Sequence, residues 1–370
     1  MRHSTNMQSN QYGVAKKRTS PFWQAVNVLS EILIACAVIC ILYIVWQLWW
    51  TSAQSEHAQI AARSSVSWTN PDQGNKTKIA PKQSGEPPVE GKAKIGELFA
   101  RVYIPRFGNQ WERNLVEGST LELLNRSGLC HYENTQLPGE MGNVGIAGHR
   151  EGYGQPLGDV DKLKAGDPII IRTKNYWYVY KYTSYKIVTP SHSEVIAPNP
   201  EHPGKDPVKR MVTLTTCEPR YSTPTHRWIS YGEFDYWAKV SDGIPKELST
   251  VDSNGKIRFI NNEQQSLISH LDSLVMPIIV TVILYVLVFI ASAVAWRWPL
   301  LRSIRAGLKP KPDFSIFGGI ARIQPGILPM RILLQLLLYL MISMALLQWI
   351  FPWLSSTVPF LQSMSNYTPI

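Results

Sequence analysis

Three long apolar segments constrain this chain more than any other feature. They lie at residues 26–50, 273–296 and 332–353. A helix needs roughly 20 apolar residues to cross the hydrocarbon core of a bilayer, and each segment is about that long. The sequence therefore predicts three transmembrane helices, which divide the chain into segments on either side of a membrane.

Other interpretations of these segments remain open. The first could be a cleaved signal peptide, but such a peptide has an apolar region of about 7 to 15 residues that ends in small residues. This segment ends instead in Trp49-Trp50, which favours an uncleaved anchor. The last two could lie at the membrane interface or pack as a buried hairpin, although both are apolar on all faces.

The distribution of basic residues predicts the orientation of the spans. Residues 1–25 contain Lys and Arg but no acid, and the loop at 297–331 is strongly basic with Asp313 as its only acid. Lys-rich and Arg-rich loops stay in the cytoplasm. We therefore expect a multi-pass protein of the cell membrane, with the region between the first two spans and the tail at 354–370 outside the cell.

The formal net charge of +10 raises the question of nucleic-acid binding. Much of the basic excess lies in the two cytoplasmic segments, where it orients the spans and meets anionic lipid. The sequence contains no nucleic-acid motif. The predicted partner of these charges is the membrane and not a nucleic acid.

The region between the first two spans divides into three parts. Residues 51–94 are rich in Ser, Gln, Pro, Gly and Lys, which predicts a flexible stalk. Residues 95–245 contain short β-branched runs separated by turn residues, which predict a β-barrel or sandwich with few helices, one of them at 121–129. Residues 246–272 form a polar connector. The predicted strands are 99–104, 144–147, 168–172, 177–188, 211–216 and 228–240.

Cys217 stands at the end of a predicted strand. Residues 211–216 are mostly β-branched, and Glu218-Pro219 stops the strand because proline cannot donate to a ladder. The next strand begins just after Arg227. A single strand cysteine is most often a small buried hydrophobe. A thiol at a strand end beside a guanidinium at a strand start is, however, also a plausible nucleophile with an anion-stabilising partner.

A histidine follows another short strand of the same region. Apart from Asn143, residues 142–148 are small or apolar and end in glycine, and His149 comes next. A lone histidine would usually be structural, but histidine, cysteine and arginine at strand ends within one domain are what a Cys-His nucleophilic site needs. Cys130 is the other cysteine outside the spans, and a disulfide with Cys217 would consume the nucleophile.

These segments resemble the sortases, membrane-anchored cysteine transpeptidases of Gram-positive bacteria. Thr213–Cys217 is similar to the T-L-x-T-C signature, Gly148–Arg150 to the histidine segment, and Arg227 holds the position of the family's arginine. Cys130 departs from the pattern, where a small residue is expected, and places a second thiol near the site. The resemblance covers about residues 95–240, is strongest to class E, and implies the eight-stranded sortase β-barrel. Further similar segments are Val102–Arg106, Val116–Gly118, His131-Tyr132, Leu137–Glu140, Tyr153-Gly154 and Leu163–Asp167.

The chemistry of acyl transfer predicts a role for each of the three residues. The Cys217 thiolate would attack the substrate carbonyl and form a thioester. His149 would protonate the leaving amine and later take a proton from the incoming amine. Arg227 cannot lose its proton and would hold the oxyanion. Nearby cations such as His149 and Arg227 should favour the thiolate.

The resemblance also implies a substrate and an acceptor. It implies cleavage between Thr and Gly of an LPXTG-like or LAXTG-like signal in secreted proteins, and transfer to an amine of a lipid-linked cell-wall precursor. We assign substrate contacts to Thr215, Thr216, Tyr153 and His131, with a structural role for His131 left open. We expect neither a cofactor nor a metal.

Two other functions remain open. A class C-like sortase would polymerise pilins on a lysine acceptor, but its stalk often carries an Asp-Pro-aromatic lid where this chain has Asn70-Pro71-Asp72. A catalytically silent membrane scaffold would only bind sorting peptides. Intact Cys217, His149 and Arg227 together argue against the silent scaffold.

Overall fold

The computed structural model describes residues 20–71, 77–109, 111–259 and 271–361. The described residues form two compact units, one within the ranges 1–43 and 274–348 and one within the ranges 44–273 and 349–370. The second unit contains a closed β-barrel. The first contains apolar helices.

Eight strands close the barrel in the order β1-β2-β3-β4-β7-β8-β6-β5, which confirms the predicted eight-stranded fold. The β2–β3 and β4–β7 pairs are parallel and the others are antiparallel. The pattern of residue types does not predict β2 or β3, because β2 begins with three polar residues and β3 is very short. The strands are β1 Leu98–Tyr103, β2 Glu112–Glu117, β3 Leu129–His131, β4 Gly142–Gly148, β5 Pro168–Arg172, β6 Tyr176–Val188, β7 Arg210–Glu218 and β8 His226–Lys239.

The barrel wall is buried on both faces near one end of β4. Leu115, Ile146 and Leu214 belong to the main core. Their neighbours along the strands, such as Val116 and Ala147, belong to a second cluster that includes the helix α3, Leu121–Ser127. Because successive side chains of a strand point to opposite faces, strands buried on both faces contain near-continuous apolar runs.

The segment predicted to be a flexible stalk begins instead with a helix. The first helix, α1 Pro21–Val45, passes through a π-helical turn, Trp46–Trp50, into α2 Thr51–Ser65. Polar composition hides this helix, because hydrogen bonds do much to hold α2 in addition to the packing of Ala62 on the cluster beside α3. The Asn114 side chain donates to the Gln59 carbonyl (2.9 Å), and the Asn114 backbone N–H donates to the Gln59 side chain (3.2 Å).

The remaining described part of the predicted stalk lies along the barrel. Ala80 N–H donates to the Ile244 carbonyl (2.8 Å) and Gln83 N–H donates to the Trp237 carbonyl (2.9 Å). The Tyr178 hydroxyl donates to the Pro88 carbonyl (2.6 Å). Asp72, part of the sequence compared with a pilin-type lid, lies outside the described residues.

The polar connector adds a small hairpin to the barrel unit. Strands β9 Ser249–Val251 and β10 Ile257–Phe259 pair antiparallel. The Phe259 ring packs against Tyr103 and Trp177, with centroids 5.8 and 6.1 Å away. The predicted boundaries at 1–25, 246–272 and 354–370 fall partly outside the described residues.

Within the described residues, three helices are long and apolar enough to cross a membrane, and each contains most or all of one predicted span. The α4 and α7 helices pack together in the first unit. There the Glu31 carboxylate accepts from the Ser315 hydroxyl and the Ile316 N–H (both 2.6 Å) and so caps α6. The remaining helices are α4 Val275–Ala295, α5 Pro299–Arg305, α6 Ile316–Ile323, α7 Leu328–Ala345 and α8 Phe351–Thr357.

A cavity in β4 should destabilise the barrel. We expect Ile146→Ala to lower the free energy of unfolding by about 2–5 kcal/mol, because the removed side chain is fully buried. Ile187→Ala is the matched control on β6, since Ile187 is 47% exposed, and it should change stability by less than about 0.5 kcal/mol. Urea unfolding of the purified protein, followed by tryptophan fluorescence, measures both. Equal losses would contradict this packing.

Candidate functional site

Strand pairing brings the three predicted residues to one end of the barrel. In the parallel β4–β7 pair, Ala147 lies opposite Thr215, so His149 and Cys217 follow at matching strand ends. In the antiparallel β7–β8 pair, Cys217 lies directly opposite Arg227. The arrangement follows from register alone, because neighbouring strands lie about 4.8 Å apart.

Cys217 is mostly buried, and its environment contains opposing effects. Burial raises the pKa of the thiol, while the guanidinium groups of Arg227 and Arg150 oppose that rise. Burial outweighs the cations, so the thiol is protonated at neutral pH in this state. Of the two cations expected from the sequence, Arg227 is present beside the thiol, but it does not produce a resting thiolate, and His149 is not a cation in this state.

His149 is held from two sides. Its side chain is almost wholly buried, with 3% exposed. Its Nε2 donates to the Asn125 amide oxygen of α3 (2.7 Å), and its ring stacks on Tyr153 with centroids 4.9 Å apart. Burial lowers the pKa of His149 to about 4, so the ring is neutral at neutral pH. Since Nε2 carries the hydrogen, Nδ1 is the basic nitrogen of the neutral ring.

Arg150 joins the ends of β4 and β7. Its guanidinium pairs with the carboxylates of Glu218 and Asp161, lies 4.9 Å from the Trp228 ring centroid, and contacts the Cys217 carbonyl. Arg150 is the last residue of the histidine segment, and the sequence predicts no role for it. Its position makes it a second cation beside the thiol.

The two predicted substrate-contacting threonines are buried and hydrogen bonded within the barrel. The Thr216 hydroxyl donates to the Gly148 carbonyl (2.7 Å) and so links β7 to β4 immediately before the site. The Thr215 hydroxyl bonds with the Tyr132 hydroxyl (2.9 Å). Tyr153, the third predicted contact, stacks on His149 as described.

His131 is fully buried in a polar network. Its Nδ1 lies 2.8 Å from the Glu117 carboxylate, and its Nε2 lies 3.0 Å from both the Gln136 carbonyl and the Thr135 hydroxyl. Every one of these partners is a group that accepts hydrogen bonds. The geometry favours the structural role that the sequence left open for His131.

Both cysteines of the barrel are free thiols. Cys130 lies on β3 with no exposed surface, and burial raises the pKa of its thiol. A buried thiol with a raised pKa is unreactive. The second thiol that the sequence placed near the site therefore acts as packing.

Sequence reasoning missed Asn125 as a site residue. It predicted the short helix correctly, but a polar residue on a helix carries no signal of its partner. The α3 helix begins with a side-chain cap, in which the Thr120 hydroxyl accepts from the Leu123 N–H (3.4 Å), and it places Asn125 in its second turn. A hydrogen bond to His149, 24 residues away, needs the tertiary structure.

The neutral, buried His149 predicts a pH dependence of stability. The unfolded chain, with an ordinary histidine pKa near 6.5, binds more protons than the native state between about pH 6.5 and pH 4. The stability contributed by keeping this ring neutral is complete above about pH 6.5 and falls as the pH falls. Between pH 7 and 4 we expect the wild type to lose about 3 kcal/mol more than His149→Gln in urea unfolding. Parallel losses would contradict this.

Comparison with known proteins agrees with the geometry. A family model described as the sortase domain matches residues 102–235. Sortase SrtE2 of Streptomyces coelicolor is 33% identical over 236 residues, which cover 61% of this chain and 88% of that protein. Sortase SrtE1 of the same organism is 34% identical over 233 residues, which cover 60% of this chain and 61% of that protein.

Solved sortase structures are also similar. The SrtA sortase from Actinomyces oris is 37% identical, covering 47% of this chain and 99% of that chain, with a TM-score of 0.43. Sortase E from Streptomyces avermitilis is 38% identical, covering 42% of this chain and 99% of that chain, with a TM-score of 0.39. The family assignment rests on the sequence relatives, chiefly SrtE2. The chain therefore belongs to the sortase family of cysteine transpeptidases and is similar to its class E members.

Proposed function

We propose that this sortase cleaves an LPXTG-like or LAXTG-like sorting signal between Thr and Gly and transfers the secreted protein to an amine of a cell-wall precursor. The observation that carries the proposal is the meeting of Cys217, His149 and Arg227 at one end of β4, β7 and β8. These groups supply a nucleophile, a proton carrier and a fixed positive charge, which acyl transfer needs.

The first half of the reaction begins from a neutral thiol and a neutral imidazole. As the Cys217 sulfur attacks the Thr carbonyl carbon, its proton passes to His149 and the carbonyl electrons move to oxygen. The imidazolium then donates that proton to the leaving glycine nitrogen while the C–N bond breaks. The product is a thioester on Cys217 with His149 neutral again. A ring whose pKa is held low by burial gives its proton up readily.

Arg227 stabilises the negative charge that develops on the carbonyl oxygen. It is almost wholly buried, and its Nη1 donates to the neighbouring His226 carbonyl (3.0 Å), which helps to fix the guanidinium. A fixed donor in a site from which water is largely excluded stabilises a developing charge more than water does. Arg150, which follows the end of β4, adds positive charge beside Cys217.

The second half uses the same groups in reverse. An incoming amine attacks the thioester carbon, His149 removes a proton from the amine, and Cys217 leaves as a thiolate that recovers the proton. Water competes with the amine at this step and gives hydrolysis. The substrate contacts proposed for Thr215, Thr216, Tyr153 and His131 remain predictions, and for the buried threonines and His131 they require the hydrogen bonds described above to rearrange.

We also propose that the three apolar helices anchor the enzyme as a multi-pass membrane protein with its barrel outside the cell. Helix length, apolar composition and the basic residues of the 297–331 loop support this orientation. Both the sorting signal and a lipid-linked acceptor would then be confined to the surface on which the barrel acts.

The reaction is tested with the full chain in detergent, an LAXTG or LPXTG peptide and a glycine amine. Mass spectrometry should detect a peptide thioester on Cys217 and a transfer product, and Cys217→Ala should give neither. A lysine side chain preferred over the glycine amine would favour the pilin-polymerising alternative. Peptide binding without any adduct would favour the silent scaffold and contradict the proposal.

Replacing Arg227 by lysine tests the oxyanion role. Lysine keeps the charge but loses the planar set of donors, so we expect Arg227→Lys to lower kcat by about 10²–10³-fold. Arg258→Lys, on the β10 hairpin where the arginine pairs with Asp252, is the matched control and should keep wild-type kcat. Steady-state transpeptidation measures both. A kcat for Arg227→Lys within threefold of wild type would remove Arg227 from this role.

Single-cysteine labelling tests the topology. In a background with all four native cysteines, Cys36, Cys40, Cys130 and Cys217, replaced by alanine, Ser191→Cys lies on an exposed barrel loop and Lys309→Cys lies in the basic loop. A membrane-impermeant maleimide should label Ser191→Cys in intact cells, and it should label Lys309→Cys only after permeabilisation. The opposite pattern would invert the proposed orientation.

A further inference from the structure

The first turn of α2 contacts the loop that follows His149. The Thr51 hydroxyl accepts from the Tyr153 N–H (3.0 Å) and donates to the Gln47 carbonyl of its own helix (2.5 Å). The Ser52 hydroxyl accepts from the Gly154 N–H (3.1 Å) and donates to the Leu48 carbonyl (2.8 Å). Each hydroxyl thus bridges the helix to the loop and satisfies a backbone group on both sides.

The π-helical turn sets the position of these hydroxyls. Within it the Thr51 N–H bonds to the Trp46 carbonyl, five residues back, and π-helical turns often mark functional positions. The turn is anchored by burial, since Trp46 and Trp50 are 3% and 1% exposed. The Trp46 ring packs on the buried Phe351, with centroids 6.2 Å apart. The start of α2 is therefore held in place within the barrel unit by buried packing.

The loop held by this turn has an unfavourable backbone conformation, with three successive positive φ angles. Tyr153 has φ of 50°, between Gly152 at 66° and Gly154 at 83°. A side-chain-bearing residue is unfavourable in this left-handed region and persists when its surroundings fix it. The bonds from Thr51 and Ser52 supply that constraint. They fix the backbone from which the Tyr153 ring stacks on His149.

The middle of α2 contacts the helix that bears the other partner of His149. The Ser55 hydroxyl donates to the Arg126 carbonyl (3.4 Å), one residue after Asn125. The Gln59 side chain lies so close to Gly128 that an added Cβ there would stand 2.5 Å from the Gln59 amide oxygen. The segment that contains Asn125 thus also rests on α2.

We propose that Thr51, Ser52, Ser55 and Gln59, here called the helix clamp, position the imidazole of His149 for proton transfer. The Tyr153 stack and the Asn125 hydrogen bond, which hold the ring, both come from segments that the clamp holds. The inference rests on the proposed role of His149 in catalysis. The clamp residues are positioning residues, since they act through Tyr153 and Asn125 and not on the reacting atoms.

The clamp makes catalysis depend on chain that precedes the barrel. A fragment cut at residue 95 would keep Cys217, His149 and Arg227 but lose every clamp residue. The geometry thus assigns the segment after the first span a function beyond linking the barrel to its anchor.

The test uses the full chain in detergent with Thr51→Val and Ser52→Ala, singly and together. Valine matches the shape of threonine but cannot accept the Tyr153 N–H. We expect the double variant to lower kcat by about tenfold or more with KM changed less than threefold, because small misplacements of reacting groups cost large factors. Thr51→Ser retains the hydroxyl and should restore kcat. Ser64→Ala is the matched control, because Ser64 is exposed and its hydroxyl donates to the Ala61 carbonyl of its own helix (2.8 Å).

A second measurement does not depend on activity. Diethyl pyrocarbonate modifies neutral histidine, and mass spectrometry reports its rate at His149, which is 3% exposed in the intact protein. We expect the double variant to react at least about tenfold faster at His149, with no change at the exposed His192. Unchanged His149 reactivity in the double variant would overturn the clamp, as would a lower unfolding temperature with wild-type kcat.

These outcomes separate the clamp from the proposed function. If His149→Gln kept wild-type kcat, the catalytic role of His149 would fail, and the clamp would fail with it as a catalytic device. If His149→Gln lost activity but the double clamp variant kept kcat within twofold, the proposed function would stand and the clamp alone would be overturned.

Discussion

The pairing of β7 with β4 on one side and β8 on the other is the constraint on which the site depends. The Thr216 hydroxyl donates to the Gly148 carbonyl, so the two parallel strands stay in register up to His149 and Cys217. Cys217 and Arg227 are then opposite by antiparallel pairing. A slip of one residue in either ladder would turn one of these side chains to the other face of the wall. The buried apolar residues on both faces prevent that slip.

Burial gives the site its resting electrostatic state. Two guanidinium groups lie near the thiol, yet burial raises the pKa of Cys217 and lowers that of His149. Both groups are therefore neutral before substrate arrives. In the proposed mechanism the arginines contribute when charge develops, since a fixed cation in a buried site stabilises a transient anion at little cost in reorganisation. The proposed helix clamp has a related role. The neutral imidazole of His149 carries no charge that an ionic partner could use to orient it, so the contacts held by the clamp fix its orientation.

Particular residues show where prediction from sequence succeeded and where it stopped. Cys217 and Arg227 were identified because each stands at a strand boundary that β-branched residues and a proline make visible. Asn125 and Arg150 were not assigned roles, because a polar side chain on a short helix or after a motif histidine does not show what it will contact. The stalk was predicted wrongly over α2, since its polar composition hides a helix held by hydrogen bonds. His131 was placed among substrate contacts, although it lies in a buried polar network.

The sequence by itself determined the three apolar helices and the β-rich region between two of them, and it singled out Cys217, His149 and Arg227 as the proposed catalytic residues. Those features depend on local composition, periodicity and short motifs, which are properties of residues close together in the sequence. The tertiary structure alone decided the protonation states of Cys217 and His149, the contact of Asn125 with His149 and the seating of α2 against the histidine loop. These depend on burial and on contacts between segments up to 102 residues apart, which no local pattern encodes.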